Sequence, residues 1–164
     1  MIVIVMGVSG VGKTAIGSRL ADTFGWRFID ADEHHPPQNV AKMAGGTPLE
    51  DADRWPWLER LNSMLREAEA RGESTVLACS ALREAYRRRL TDGLGAPRTV
   101  FLHADQTLIA ARLAQRQHRY MPASLLASQF ATLERPPRAI AIDVSADIAA
   151  CVKSINSALA ADAQ

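Results

Sequence analysis

The residues with the clearest chemical potential lie at positions 7–14, which read GVSGVGKT and match the pattern GxxxxGK[ST] in full. In this pattern backbone N–H groups wrap a phosphate, the lysine reaches the outer phosphates and the last hydroxyl binds Mg²⁺. A glycine-rich turn would explain the glycines but not the adjacent Lys13 and Thr14. The predicted nucleotide-binding residues of this loop are Gly7, Ser9, Gly10, Val11, Gly12, Lys13 and Thr14. The motif predicts a nucleoside triphosphate site with magnesium, which kinases, ATPases, GTPases and switches share.

Two carboxylates, Asp30 and Asp32, follow a second apolar run. If that run is a strand of a parallel sheet, both acids emerge at the edge where such sheets bind ligands. Residues two apart on an extended chain project to the same side, so we expect both to face one site. Asp30 would hold magnesium through water, and Asp32 would accept the proton or hydrogen bond of an attacking hydroxyl. The alternative is a pair of solvated turn carboxylates before a proline-rich loop.

Three arginines are candidates for binding an anionic substrate, because guanidinium offers a planar, two-pronged match to a carboxylate. They are Arg54, Arg83 and Arg87. Each is also a candidate for a surface ion pair, and for 87–89 a solvated helix face is favoured because three adjacent residues cannot all point one way. Ser80 either donates to a substrate hydroxyl or caps a helix that begins at Ala81.

A cluster of basic residues precedes a proline break at Pro122. Its members are Arg112, Arg116, His118 and Arg119. We expect a lid over about 116–123 whose arginines stabilise a transferring phosphoryl group and exclude water. The alternative is that these cations complement the dipole at the end of a helix. The histidines at 34, 35 and 118 lack metal-site spacing, so we predict that they form hydrogen bonds rather than ligate a metal.

Composition places these residues in an ordinary globular chain. The 164 residues are 48% hydrophobic and 23% charged with a net charge of +1, which predicts one domain over 1–164 and gives no support for binding to nucleic acid. Cys79 and Cys151 are far apart in apolar surroundings, so we expect buried thiols. The apolar run at 1–6 is too short to cross a bilayer and lacks a basic flank, which predicts a cytoplasmic protein with no membrane partner.

Apolar runs alternate with helical patterns along the chain, which predicts an α/β fold with a mostly parallel sheet. The expected strands are 2–6, 26–30, 75–79, 99–103 and 139–144. The expected helices cover 14–24, 57–68, 81–90, 106–116, 123–133 and 148–159. The segment over about 34–55 breaks this rhythm with prolines, glycines and acids, and we interpret it as an inserted, partly helical excursion.

In their order along the chain the motifs resemble the gluconate kinases, small P-loop kinases related to shikimate kinase and adenylate kinase. The resemblance covers nearly the whole sequence. It depends on GVSGVGKT at 7–14, DADEHHPPQNVAKMAGGTPLEDADRWPWL at 30–58, CSALREAYRRRL at 79–90 and MPASLLASQFATLERP at 121–136. The phosphate loop is generic, whereas the second and third of these blocks are specific to the family.

The resemblance implies ATP- and Mg²⁺-dependent phosphorylation of D-gluconate to 6-phospho-D-gluconate by a P-loop kinase fold: a five-stranded parallel sheet flanked by helices, with a substrate-binding excursion and a lid. The residues it implies around gluconate are Asp32, His35, Arg54 and Arg83, and those it implies in the lid are Arg112, Arg116 and His118. Ser80 and His118 complete the predicted substrate-binding residues. Those implied on the nucleotide, besides the loop, are Arg112 and Arg116. The predicted catalytic residues are Lys13, Asp32 and Arg116, and the predicted magnesium ligands are Thr14 and Asp30. Similar proteins are commonly homodimers.

Two alternatives stay open at the level of sequence. Another small hydroxy-acid kinase of the shikimate type would also need arginine for its carboxylate. A nucleotide-dependent switch would hydrolyse ATP slowly and act through a partner, and it would turn over independently of any sugar acid.

Overall fold

The computed structural model describes residues 1–115 and 123–161. Within them, five strands form one parallel sheet in the order β2-β3-β1-β4-β5. The strands are β1 (Ile2–Met6), β2 (Arg27–Asp30), β3 (Thr75–Ala78), β4 (Arg98–His103) and β5 (Ile140–Asp143). Because β1 lies at the centre and all strands run the same way, their carboxyl ends share one edge of the sheet.

The helices of the described residues connect and cover these strands. They are α1 (Lys13–Phe24), α2 (Pro37–Ala44), α3 (Asp51–Ala70), α4 (Glu84–Thr91), α5 (Gln106–Ala114), α6 (Ala123–Thr132) and α7 (Ile148–Ala161), and a 3₁₀ turn spans Ala31–His34. No helix among the described residues is both long enough and apolar enough to cross a membrane.

The strands β1 and β3 are buried on both faces, which explains why they are continuous apolar runs. In β1, Val3 and Val5 join a core with α1 and α7, while Ile2, Ile4 and Met6 join a second core with α3 and α4. Successive side chains of a strand point to opposite faces, so one apolar run supplies both cores. Burial of each of these aliphatic side chains stabilises the folded state by about 1.5–3 kcal/mol.

The predicted strands are confirmed, with ends that differ by one residue or less: β2 begins at Arg27, β3 ends at Ala78, β4 begins at Arg98, and β5 is Ile140–Asp143. The buried free thiols at Cys79 and Cys151 are also confirmed. Burial raises the pKa of the Cys79 thiol to about 12, so this sulfur is inert.

Two helices differ from prediction at their starts. The helix expected from 57 already begins at Asp51, where the Glu50 backbone N–H donates to Asp53 Oδ2 at 2.9 Å. This bond satisfies a donor at the helix start, as in a capping box. The helix expected from Ala81 begins only at Glu84, because the chain first forms a loop in which Ala81 has φ 44°.

Candidate functional site

The phosphate loop connects the end of β1 to the start of α1, as its motif predicts. Gly7 has φ +149°, and a Cβ there would lie 2.6 Å from the Leu102 carbonyl oxygen, so a side chain cannot fit. Gly12 precedes α1 with φ +94°, which L-residues rarely adopt. The first N–H groups of α1 therefore face the loop, where an anion is stabilised by them and by the helix dipole.

Two side-chain contacts set the shape of this loop. Lys13 Nζ donates to the Val8 carbonyl oxygen at 3.0 Å, which folds the lysine over the loop. Ser9 bonds twice to Gln129 of α6: its backbone N–H donates to Gln129 Oε1 at 2.7 Å, and Gln129 Nε2 donates to Ser9 Oγ at 3.0 Å. The Ser9 groups predicted to meet a nucleotide therefore hold α6 against the loop, a role that the phosphate motif does not indicate.

A hydroxyl and a carboxylate meet beside the loop. Thr14 Oγ1 donates to Asp30 Oδ2 at 2.9 Å, which joins the start of α1 to the end of β2. Hard oxygen donors of these two types suit Mg²⁺, which usually takes one or two protein ligands and completes its shell with water and phosphate. The structure thus brings together the two residues predicted as magnesium ligands.

The expectation that Asp30 and Asp32 project together from an extended chain is wrong. Asp30 ends β2, and its Oδ1 accepts the Asp32 backbone N–H at 3.0 Å, so the chain turns into the 3₁₀ segment at this point. The aspartate side chain favours this turn because it replaces a backbone acceptor. Asp30 consequently faces Thr14, while Asp32 is exposed one turn further on.

A charged cluster lies where α3 approaches α4. Asp51 Oδ1 is 3.4 Å from Arg54 Nη1, and Asp51 Oδ2 is 3.9 Å from Arg83 Nη1. The Tyr86 hydroxyl donates to Asp51 Oδ1, and the Arg54 guanidinium lies 5.5 Å from the centre of the Tyr86 ring. Burial, and then this bond to Asp51, raise the pKa of Tyr86, so the phenol keeps its proton. The fold therefore brings the predicted Arg54 and Arg83 together around one carboxylate.

His35 is held from two sides. Its ring stacks on Trp57 with 4.1 Å between the centres and 14° between the planes, and its Nδ1 lies 3.3 Å from Asn39 Nδ2. Trp57 is itself anchored by donation from Nε1 to the Ala31 carbonyl oxygen at 2.8 Å. Burial lowers the pKa of His35, Asp32 opposes this and Arg54 reinforces it. The ring is therefore neutral at neutral pH.

The interpretation of Arg87 as part of a solvated helix face is wrong. Arg87 is 9% exposed, and its Nη1 donates to the carbonyl oxygens of Ala81 at 2.8 Å and Leu82 at 3.1 Å. These bonds hold the loop in which Ala81 adopts φ 44°, an unfavourable value for a residue with a side chain. Arg87 is thus a buried support for the loop that carries Ser80 and Arg83.

Ser80 does not cap a helix at Ala81, because α4 begins at Glu84 with Arg83 before it. The Ser80 carbonyl oxygen accepts the Gly7 backbone N–H at 3.3 Å, which places Ser80 beside the start of the phosphate loop. The segment that carries Ser80 and Arg83 is also joined to the chain that follows α6, since Glu134 Oε2 accepts the Glu84 backbone N–H at 2.6 Å.

A cavity of about 600 Å³ opens on the other side of the phosphate loop. Its lining includes Gly10, Gly12, Arg112, Val144, Asp147 and Ile148. It combines apolar walls with a half-buried arginine and an aspartate, a composition that suits a planar heterocycle with polar edges. Arg112, which is predicted to contact the nucleotide, lines this cavity. The predicted Arg116 and His118 fall outside the described residues.

Several residues that shape the site carry no motif of their own. Gln129, Arg87 and Asn39 are polar groups in buried or half-buried positions, and Asp51 links two predicted anion-binding arginines. A single sequence contains one signal for them: they stand inside the blocks that resemble the gluconate kinases. Their partners are set by the folded loops and by packing, since Arg87 bonds to the nearby Ala81 carbonyl and Gln129 to the distant Ser9.

Comparisons with known proteins agree with this geometry. A family model described as an AAA domain matches residues 2–136. The chain is 50% identical to the gluconokinase of Gluconobacter oxydans over 81% of this chain and 75% of that protein, and 41% identical to the thermosensitive gluconokinase of Escherichia coli over 96% and 87%. A crystal structure of a gluconokinase from Sinorhizobium meliloti is 41% identical with a TM-score of 0.87, and the match covers 97% of this chain and 91% of that one.

Proposed function

This chain belongs to the gluconokinase family, and from that premise we propose that it transfers the γ-phosphoryl group of ATP to the terminal hydroxyl of D-gluconate, giving 6-phospho-D-gluconate and ADP. The observation that carries the proposal is the contact between Thr14 and Asp30. It joins the phosphate loop directly to the segment that begins at Asp30, so a nucleotide on one side and a sugar acid on the other would meet at one sheet edge.

On the nucleotide side, backbone N–H groups of Gly7, Gly10, Val11 and Gly12 and groups of Ser9 would line the phosphates, and Lys13 would exchange the Val8 carbonyl for a phosphate oxygen. The purine would lie in the cavity beside Arg112 and Asp147. Arg116, implied by the family resemblance, would add charge at the transferring group.

Magnesium would be held by Thr14 and Asp30, whose oxygens are the hard donors that this ion prefers. When bound, the ion neutralises negative charge on the phosphates. The protein's own contribution is to hold the two oxygens in place through α1 and β2.

On the sugar-acid side, Arg54 and Arg83 would bind the carboxylate, because a planar guanidinium group can donate two hydrogen bonds to it. In the structure described here Asp51 lies between them, so it keeps both side chains in the region where a substrate carboxylate would bind. The hydroxyls would be bound by Asp32, His35 and Ser80, together with His118 from the predicted lid.

The chemistry needs position more than proton removal, because the transferring phosphoryl group passes through a loose transition state with little bonding to the incoming oxygen. Asp32 would accept a hydrogen bond from the terminal hydroxyl and orient its lone pair toward phosphorus, and it would take the proton as the new bond forms. Fixing two substrates in line supplies much of the rate enhancement.

The test is ADP release by the purified protein with ATP and Mg²⁺ across D-gluconate, shikimate, epimers of gluconate, neutral sugars and nucleoside monophosphates. We expect turnover with gluconate, and mass spectrometry should then identify a sugar acid heavier by one phosphoryl group. Turnover with shikimate instead would favour a shikimate-type kinase. Hydrolysis that no acid changes would favour a nucleotide-dependent switch and overturn the proposal.

We also propose that the protein is a cytoplasmic homodimer whose single domain carries a substrate-binding excursion over about 34–55 and a lid over about 116–123. The dimer follows from the family resemblance, the lid from the basic residues before Pro122 and from that resemblance, and the excursion from the prolines and glycines of that segment. Light scattering after gel filtration should give twice the 17.8 kDa chain mass, and a monomer would contradict the assembly without affecting the reaction.

A further inference from the structure

Asn39 is a polar residue in α2 that is only 1% exposed. Its Nδ2 donates to the Asp53 backbone carbonyl oxygen at 2.9 Å and lies 3.3 Å from His35 Nδ1. The Asp53 carbonyl fixes the orientation of the Asn39 amide, because the reverse orientation would place the amide oxygen against that carbonyl oxygen with no hydrogen between them. One hydrogen of the Asn39 amide nitrogen therefore serves the Asp53 carbonyl, and the other is directed at His35 Nδ1.

From this we propose that Asn39 is a positioning residue that holds His35 as the neutral tautomer protonated on Nε2, so that His35 offers a hydrogen-bond donor to an oxygen of the sugar acid. The proposal rests on the proposed function, since it deepens the role of a residue in that site. His35 then acts as a donor that selects a substrate oxygen and not as a base.

The geometry excludes the other tautomer. A proton on Nδ1 would point at Asn39 Nδ2, so two donors would face each other in a part-buried place. Stacking on Trp57 fixes the ring plane, and turning the ring over would exchange Nδ1 for a carbon atom and lose the contact with Asn39.

The charged groups around the ring agree with a neutral state. Burial is the largest effect and lowers the pKa of His35. The Asp32 carboxylate in the 3₁₀ turn raises this pKa, and the Arg54 guanidinium in α3 lowers it further. Lys42 and Asp53, the charged pair near Asn39, bond to each other at 2.8 Å. Above its lowered pKa the ring is uncharged and keeps one proton.

A donor at His35 and an acceptor at Asp32, whose charge acts on the His35 ring, together match the chemistry of a hydroxyl. A hydroxyl group accepts one hydrogen bond and donates another, whereas a carbonyl or an ether oxygen only accepts. The pair would therefore favour a polyhydroxy acid over an analogue that lacks the corresponding hydroxyl, because the analogue leaves both groups without a partner.

The first test measures the tautomer directly. Long-range ¹H–¹⁵N correlation spectra of ¹⁵N-labelled protein distinguish the two ring nitrogens, and His35→Gln identifies the His35 signals among the four histidines. At pH 7.5 we expect the proton on Nε2 in the unmodified protein. In folded Asn39→Ala we expect a mixture of tautomers and a higher pKa. A proton on Nδ1, a doubly protonated ring, or an unchanged spectrum in Asn39→Ala would each overturn the proposal.

The second test measures binding. Asn39→Ala should raise KM for gluconate roughly fivefold, the loss of about one hydrogen bond, with KM for ATP within twofold. The matched control is Asn62→Ala, because Asn62 Nδ2 also bridges two carbonyl oxygens, those of Leu90 at 2.8 Å and Asp92 at 2.9 Å. An equal rise in both variants would mean a general loss of packing and would contradict the assignment.

A third comparison needs no change at position 39. A glutamine amide can reach the place of Nε2 and an asparagine amide the place of Nδ1, so His35→Gln should retain more kcat/KM for gluconate than His35→Asn. Equal losses would argue against a donor at Nε2. If the unmodified protein does not phosphorylate gluconate, the proposed function fails, while the spectra still decide the tautomer.

Discussion

The phosphate-binding part of the candidate site comes from one continuous stretch, 7–14, whereas the residues proposed to bind the sugar acid come from segments spread between Asp32 and Arg83, together with His118. The first works mostly through backbone groups that any P-loop protein presents. The second, as proposed, works through side chains, and the buried Asn39 and Arg87 bond to the segments that carry them. The local motif therefore specifies phosphate binding, which kinases, ATPases, GTPases and switches share, while the proposed choice of acceptor depends on side chains outside the motif.

The largest expected effect is on the nucleotide side. Lys13→Ala should lower kcat by about a hundredfold to a thousandfold, because it removes a charged donor from the transferring phosphates. Lys153→Ala, at an exposed position of α7, should leave the rate within twofold. Steady-state ADP release, with circular dichroism to check folding, measures both, and a near-normal rate in folded Lys13→Ala would break the assignment of the loop.

The next largest effect should be confined to binding of the sugar acid. Arg54→Ala should raise KM for gluconate roughly tenfold to a hundredfold, the cost of one charged hydrogen bond, and leave KM for ATP unchanged. Arg60 is exposed on the same helix and provides the matched control as Arg60→Ala. If Arg54→Ala weakens ATP binding instead, the two sides are not separate in the way described.

A smaller effect should show that Arg87 supports the loop before α4. Arg87→Met removes the two bonds to the Ala81 and Leu82 carbonyls, and we expect it to lower the free energy of unfolding by about 2 kcal/mol and to weaken gluconate binding. Its neighbour Arg88 has a side chain that is 79% exposed and pairs with Glu84, so Arg88→Ala should change stability by less than about 0.5 kcal/mol. Urea unfolding distinguishes them, and equal effects would refute the buried role of Arg87.

The smallest effect concerns pH. Hydrogen bonds from Lys42 and from the Glu50 backbone lower the pKa of Asp53 below its ordinary 3.8. The resulting stabilisation is present above the ordinary value and is lost as pH falls through the lowered one. The difference in unfolding free energy between the unmodified protein and Asp53→Asn should therefore shrink as pH falls below 3.8. A difference independent of pH would mean that the charge of Asp53 contributes nothing.

Much of the fold could be predicted because its signals are local. The strand at 2–6 is an unbroken apolar run, and such a run is stable in water only when both of its faces are covered. Short loops and right-handed crossovers then leave few ways to arrange the sheet. The phosphate loop could be predicted for the same reason, since its glycines and Lys13 are neighbours in sequence.

The predictions fail where a side chain bonds to backbone groups of a folded loop that lies only a few residues away in sequence. Arg87 stands in a run of arginines that reads as a solvated face, but the loop at Ala81 needs donors and turns Arg87 inward. Asp32 was expected to lie on an extended chain, but the Asp30 carboxylate bends the backbone there. Neither outcome follows from spacing, because both depend on backbone groups left unpaired by the folded loop.

The sequence by itself determined the parallel sheet, the position of the phosphate loop and, through its specific blocks, the family of the chain. Tertiary structure decides which acceptor faces which donor: Asp30 with Thr14, Asp51 with Arg83, and the Asp53 carbonyl with Asn39. The physical reason is range. Periodic burial and backbone conformation are encoded within a few residues, whereas hydrogen bonds between side chains form only after packing has brought distant segments within about 3 Å of each other.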